Sequence, residues 1–283
     1  MIKINVASDL REVYEYQKKI CFPYAFSTSY DDWKISMNDD IDGQGRRLFK
    51  EIKTVVAYVN DVIVGFIQYG NTAFGFDETG EISDAISYPI IRMLYYDKDK
   101  ECIGEALIQE ALKNLEKSSR VYAFFHYFGM SCYARHGKLF EKFSYIEELL
   151  KKYNFVIEHE NVYYSSELEN IAGEEEVELK WGEKTKGNQQ MCEFVYEGNI
   201  IGECEIHYVM EKEVAYLRWI YIYDNVQNKG LGSKCMTALK LALQKQGFIK
   251  FDTDTAVNNM IARHYYEKNG FVGEGITRSF MTN

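Results

Sequence analysis

The 283 residues carry 43 acidic and 33 basic side chains, and the net charge of −10 argues against nucleic acid as the main partner, because neutralising phosphates needs a basic surface. A hydrophobic fraction of 46% can fill real cores, yet apolar runs such as Val62-Ile63-Val64 and Trp219-Ile220-Tyr221-Ile222 are far too short to span a bilayer. The expectation is a folded, soluble protein with no membrane or nucleic-acid partner, placed in the cytoplasm because the N-terminus lacks a charged-then-apolar leader pattern. Cys21, Cys102, Cys132, Cys192, Cys204 and Cys235 form no C-x-x-C pair and are read as reduced, mostly buried small hydrophobes.

In chain order, apolar spacing predicts helical pieces at 10–20 and 31–37, strands at 52–59, 62–69 and 86–95, a helix at 101–115, a strand at 121–126, a helix at 140–152 and a strand at 155–159. Small and like-charged residues from Ser165 to Glu176 then break the rhythm and suggest a boundary. Beyond it, strands are expected at 177–181, 191–196, 200–209 and 214–223, with Glu197-Gly198-Asn199 as a hairpin turn. A helix at 233–246, a strand at 248–253, a helix at 259–269 and a closing strand from Phe271 complete the order. The two parts share this order, so the fold class is α+β with two related domains, 1–170 and 171–283, each a central mixed sheet flanked by helices; the alternative is one mixed sheet in which the resemblance of the parts is chance. The first 170 residues hold 27 acidic and 20 basic side chains against 16 and 13 in the rest, so the acidity is concentrated N-terminally.

Between the strand at 214–223 and the following helix stands Gln227-Asn228-Lys229-Gly230-Leu231-Gly232. Glycines at such a junction let backbone N–H groups close around a phosphate at the positive end of a helix. A second pattern follows, Asn259-x-x-Ala262-x-x-Tyr265-Tyr266-x-Lys268-x-Gly270-Phe271. Together these closely resemble the acetyl-CoA-binding core of the GNAT acyltransferase superfamily. A dinucleotide-binding fold is the structural rival, because Asp252 lies about twenty residues past the glycines; it is opposed by Cys235 where a third glycine should stand.

The resemblance implies an N-acetyltransferase that moves an acetyl group from acetyl-CoA, as co-substrate and without a metal, directly to an amine of a small molecule or peptide. It assigns Ile220, Tyr221 and Ile222 to the pantetheine arm and Gln227, Asn228, Lys229, Gly230, Leu231, Gly232 and Ser233 to the pyrophosphate loop. Asn259 either contacts the cofactor or caps its helix. Tyr266 takes the role of general acid toward the leaving thiolate. Where many members carry a glutamate on the fourth strand this chain has Ala215-Tyr216, so Glu205, with Glu203 second, is the candidate base. The N-terminal part resembles the family only loosely: Glu101-x-x-Gly104-x-Ala106 falls over the glycine loop and Leu150 over Tyr266, which implies a degenerate copy. Too few residues separate 181 from 191 for the helices that usually shape the acceptor site, so the N-terminal part or a second subunit of a homodimer is expected to complete it. The alternative is a non-catalytic acyl-CoA-binding or scaffold protein. The histidines show neither metal spacing nor a catalytic signature.

Overall fold

A computed structural model describes residues 2–20, 22–26, 28–115, 120–209 and 214–283, which leaves Cys21 outside the described residues. The N-terminal part runs β1 (Ile2–Val6), α1 (Leu10–Gln17), α2 (Tyr30–Asn38), β2 (Phe49–Val59), β3 (Val62–Thr72), the short β4 (Gly75–Phe76) and β5 (Ile82–Ser83), then β6 (Pro89–Tyr96) and α3 (Glu101–Asn114). It continues through β7 (Tyr122–Ala123), β8 (Leu139–Phe140), α4 (Ser144–Lys152) and β9 (Phe155–Glu167). The C-terminal part is β10 (Glu178–Trp181), β11 (Gln189–Tyr196), β12 (Asn199–Tyr208), β13 (Val214–Ile222), α5 (Leu231–Lys245), β14 (Lys250–Ala256), α6 (Met260–Lys268) and β15 (Val272–Thr282).

Two expectations need correcting. The strand foreseen at 121–126 is only β7, and the chain then turns through single helical turns at His126–Phe128 and Ser131–Tyr133. The strand foreseen to stop at 159 continues to Glu167, because β9 is sandwiched between two neighbours and its second half is buried on both faces, which a period-two reading misses.

The sheet runs β1-β2-β3-β6-β7-β15-β9-β14-β13-β12-β11-β10. The two parts therefore interlock. β9, which precedes residue 171, lies antiparallel between β14 and β15, while β15, the last strand, reaches across to β7. Helix α3 packs on the sheet of the N-terminal part, and α5 contributes Cys235, Met236, Leu239 and Leu243 to a separate core in the C-terminal part. Of the described cysteines only Cys102 is exposed. No helix among the described residues is long and apolar enough to cross a membrane.

Candidate active site

β13 pairs with β12 as far as Ile222, but on its other edge it pairs with β14 only from Val214 to Leu217. β14 then follows β9 to Ala256, so the two parallel strands separate and the backbone of 218–222 faces a wedge. A bulge opposite Glu205 and Ile206 leaves Arg218 as the extra residue and turns it and Trp219 toward the same face. Thr253 marks the point of separation, its hydroxyl donating to the Leu217 carbonyl at 2.9 Å.

At the end of that wedge the chain enters α5. The Gln227 amide donates to the Ile222 carbonyl at 2.7 Å and to Asp224 at 2.9 Å, tying the loop to the strand. Asn228 (φ 61°) and Gly230 (φ 77°) both take left-handed backbone, and Gly230 caps α5 with no side chain to accept from its first turn. Ser233 and Lys234 are the first to bond back, to the Gly230 carbonyl, so the helix does not itself take up the N–H groups ahead of Ser233. A helix start left in this way is an anion site by its own dipole, and the strand edge beside it offers free amide and carbonyl groups. The donor set suits a ligand that carries a diphosphate, which would meet Lys229 to Ser233, and an amide-bearing arm, which would meet Ile220, Tyr221 and Ile222. Lys229 donates to the Asn225 carbonyl at 3.1 Å and Lys234 is paired with Glu176, so neither charge is free in the loop. Asn259 accepts from the Ala262 N–H at 3.1 Å, which is the capping role.

Tyr266 is 5% exposed and packs among Tyr164, Tyr265 and Phe271, all with centroids within 5.7 Å. Burial pushes its phenol up to about 12, against the effect of a hydrogen bond with Thr253. Thr253 stands at the separation point of β13 and β14, so the phenol lies near it. Its neighbour Tyr265 donates to the Gly232 carbonyl at 2.8 Å and so fixes α6 against the start of α5. Glu205 lies away from Tyr266, on β12, held by Trp219 Nε1 at 3.1 Å and by Arg218 at 3.4 Å. The Gln189 amide completes the group, donating to Glu205 at 3.2 Å and accepting from Arg218 at 2.7 Å. Glu203 is half-buried two residues back along the same strand.

Two cavities open onto the wedge. One, of about 330 Å³, is lined by Asp42, Arg46 and Phe74 from the N-terminal part and by Glu183, Gln189 and Glu205 from the C-terminal part. The other, of about 390 Å³, lies between Tyr216, Trp219 and Asp254 on one side and His136, Lys138 and His159 on the other. They share Tyr127, Arg135 and Arg218. The short 182–188 connection has no helix; the 39–48 loop of the N-terminal part stands there instead, with Asp42 and Gly43 against Gly187 and Gln189. Both cavities are thus built from the two parts of one chain.

Its floor was not legible beforehand. Asp254 Oδ1 accepts from Tyr216 at 2.7 Å, and Oδ2 accepts from Asn161 at 2.7 Å and from Lys138. Burial alone would raise this carboxyl, but the Lys138 ammonium outweighs it and holds Asp254 well below its usual range. His136 stands 3.8 Å from Asp254, and burial lowers it to about 4, so it is a neutral imidazole. Nothing near Tyr216 in sequence announces a partner 38 residues away, and only the basic run Arg135-His136-Gly137-Lys138 in an otherwise acidic part could have drawn attention. Asp252, the candidate ribose acid, is instead sealed in the sheet, accepting from Tyr163 and Ser165 at 2.6 Å each, and burial lifts it to about 6. His126 does not group with Cys132 and His136; its ligand atom falls within 4.8 Å of those of Glu158 and His159 at the cavity rim.

The N-terminal counterpart lacks the apparatus. β6 separates from β7 after Ile91, but Phe22, Tyr95, Phe124 and Phe143 pack into the core there. Glu101, aligned with Gln227, is already the first residue of α3, so only 97–100 link β6 to the helix and nothing matches the 228–230 turn, and Gly104 is a packing glycine whose Cβ would stand 2.5 Å from the Tyr96 ring. Leu150 is fully buried.

Residues 146–271 match the acetyltransferase (GNAT) family. A tandem GNAT protein from the clavulanic acid biosynthesis pathway superposes over 100% of this chain and 98% of its own, with 12% identity and a TM-score of 0.59. This is a tandem GNAT fold. A GNAT-family acetyltransferase from Colwellia psychrerythraea is similar over 99% of this chain and 98% of its own, at 13% identity and a TM-score of 0.54. A GCN5-related glucosamine N-acetyltransferase region in a fungal multi-domain GH3 beta-N-acetylglucosaminidase is similar at 10% identity and a TM-score of 0.66; the alignment covers 99% of this chain but spans 38% of that one. No curated protein matches the sequence. The family match begins at α4 and takes in β9, in keeping with the place of β9 beside β14 in this tandem GNAT sheet.

Proposed function

We propose that this tandem GNAT protein is a cytoplasmic N-acetyltransferase that uses acetyl-CoA, with 171–283 as the catalytic domain and 1–170 as a degenerate one that closes the acceptor site. The observation that carries the reading is the alignment of three features: the wedge beyond Leu217, the uncapped start of α5 at its mouth, and the Tyr266 hydroxyl at its apex. Amide groups along 218–222 hold the thioester in line with an amine entering from the shared cavities, which supplies proximity and polarises the carbonyl. The amine nitrogen attacks the carbonyl carbon, the carbon–sulfur bond breaks, and the thiolate receives a proton from Tyr266. A phenol near 12 remains a donor at any working pH, and the desolvated wedge raises the proton affinity of the thiolate it faces. Glu205 is assigned to accept the amine proton, directly or through water.

One observation favours a second base. His136 lines the inner cavity, is neutral, and has no hydrogen-bond partner on either nitrogen among the described residues. Measuring thiol release with Glu205→Gln and His136→Gln separates the two: the true base costs about 10²-fold or more in kcat, and the other little.

A further inference from the structure

Arg135 is 6% exposed, yet none of its three guanidinium nitrogens has a hydrogen-bond partner among the described residues. Its nearest carboxylate oxygen, Asp40 Oδ1, is 3.8 Å away, too far for a hydrogen bond, and accepts from the Ile41 N–H at 3.1 Å, while Oδ2 accepts from Arg92 at 2.7 Å and from the Ser131 N–H at 3.0 Å. Arg92 and Asp40 are both almost wholly buried, so this cluster of two arginines and one aspartate holds one positive charge too many. A buried cation without a partner is costly, and proteins keep one where a ligand supplies the partner. Arg135 and its preceding residue Ala134 sit in left-handed backbone, φ 60° and 50°, so the chain holds the guanidinium there against a local conformational cost. The position is the wall common to the two cavities of the acceptor site.

Of the other charged groups lining the cavities, Lys138 is paired with Asp254, Arg218 with Glu205 and Arg46 with Asp42, while Glu183 stands exposed at the rim. Arg135 is the buried one whose donors stay open. Its planar fork matches a carboxylate through two parallel hydrogen bonds. A monoanion meets that fork, whereas a dianion such as phosphate brings a second negative charge toward Asp254, Glu205 and Glu183 in the same cavities.

Resting on the acyl-transfer reading above, we infer that the acceptor is a small amino acid or amino-acid-like compound whose carboxylate is clamped by Arg135 while its amine points to the wedge. The chain as a whole is acidic, but the buried charged donors left open in this site belong to a guanidinium. The product is then an N-acetyl amino acid, and a reaction that supplies free amino acids must precede this one.

The test measures thermal unfolding of the full chain with the N-acetyl derivatives of the common amino acids, each beside its neutral carboxamide, at matched ionic strength. At least one carboxylate should stabilise the wild type while its carboxamide does not. Its apparent affinity should fall about tenfold or more in Arg135→Gln and less in Arg135→Lys, which keeps the charge without the fork. The inference is overturned if no carboxylate stabilises the wild type, if carboxamides do as well, if Arg135→Gln responds unchanged, or if inorganic phosphate alone has the effect. Should Arg135→Gln fail to fold, the carboxylate–carboxamide comparison in the wild type and in Arg135→Lys decides. Titrating the same preparations with acetyl-CoA keeps the two readings apart, since failure to bind it would remove acyl transfer and leave the anion site, while the converse would leave the cofactor site alone.

Discussion

The resemblance singles out Tyr266 among 23 tyrosines by its place in the pattern from Asn259 to Gly270, and its role is a proposal that rests on that place. Replacing it with Phe keeps the packing against Tyr164 and Phe271 and removes only the hydroxyl. We expect kcat to fall by about 10²-fold with acetyl-CoA affinity nearly unchanged; steady-state thiol release and calorimetry read the two quantities, and an unchanged kcat removes Tyr266 from the mechanism. The polar floor was hidden for the opposite reason. Tyr216, Asp254 and the adjacent pair Arg135 and His136 lie on three separate stretches, and only the tertiary fold makes those stretches neighbours. Their burial has a consequence for stability. Burial depresses His126 to about 2, His136 to about 4 and His207 well below its usual value, so each stays neutral when folded but charges near pH 6.5 when unfolded. The unfolded state then binds more protons as pH falls below 6.5, and each histidine removes about 1.4 kcal/mol of stability per pH unit until its folded pKa is reached. Asp252, raised to about 6, gains its proton in the folded state first and offsets about one of the three below pH 6. Denaturant midpoints should therefore fall steeply from pH 6.5 to 4, and a flat profile would contradict the buried neutral imidazoles.

Among the elements, α5 and α3 show how two similar patterns part company. Both were legible as helices from apolar spacing. The difference lies in where each begins: at Leu231, four residues after Gln227, but at Glu101 itself, the position aligned with Gln227. Glu101 pairs with Lys152 and Gly104 is pressed against Tyr96 and Leu149, so the glycine kept from the pattern serves packing in α3. Gly-to-Ala in a helix interior ordinarily gains about 0.5–1 kcal/mol, but Gly104→Ala is expected to lose about 1–3 kcal/mol through overpacking. Gly230→Ala has open space around its Cβ and pays only for its left-handed backbone, about 1–2 kcal/mol. Chemical denaturation of both variants checks the contrast; a stabilised Gly104→Ala would show that α3 has room the structure denies it.

Over the whole molecule, the order of elements was readable but their interleaving was not, because strand order in a sheet leaves no local pattern. β9 looked like the closing strand of the first part, yet it pairs with β14 and β15 of the second along nearly its full length. Residues 171–283 expressed alone would expose the edges of β14 and β15 and should aggregate or remain unfolded, whereas 146–283, which restores α4 and β9, should recover folded structure by circular dichroism. A stable, monomeric 171–283 would contradict the interlocked sheet. The same interleaving sets residues of the first part over the wedge of the second, and the shared cavities lie between them.

The most direct measurement is a calorimetric titration with acetyl-CoA, of the wild type and of a Gly230→Val, Gly232→Val variant whose circular dichroism is unchanged. One equivalent should bind with micromolar affinity, at the single open wedge, and the variant should lose it. No binding by the wild type, a second equivalent, or binding that ignores the glycine changes would contradict the assignment of the cofactor to β13 and the start of α5.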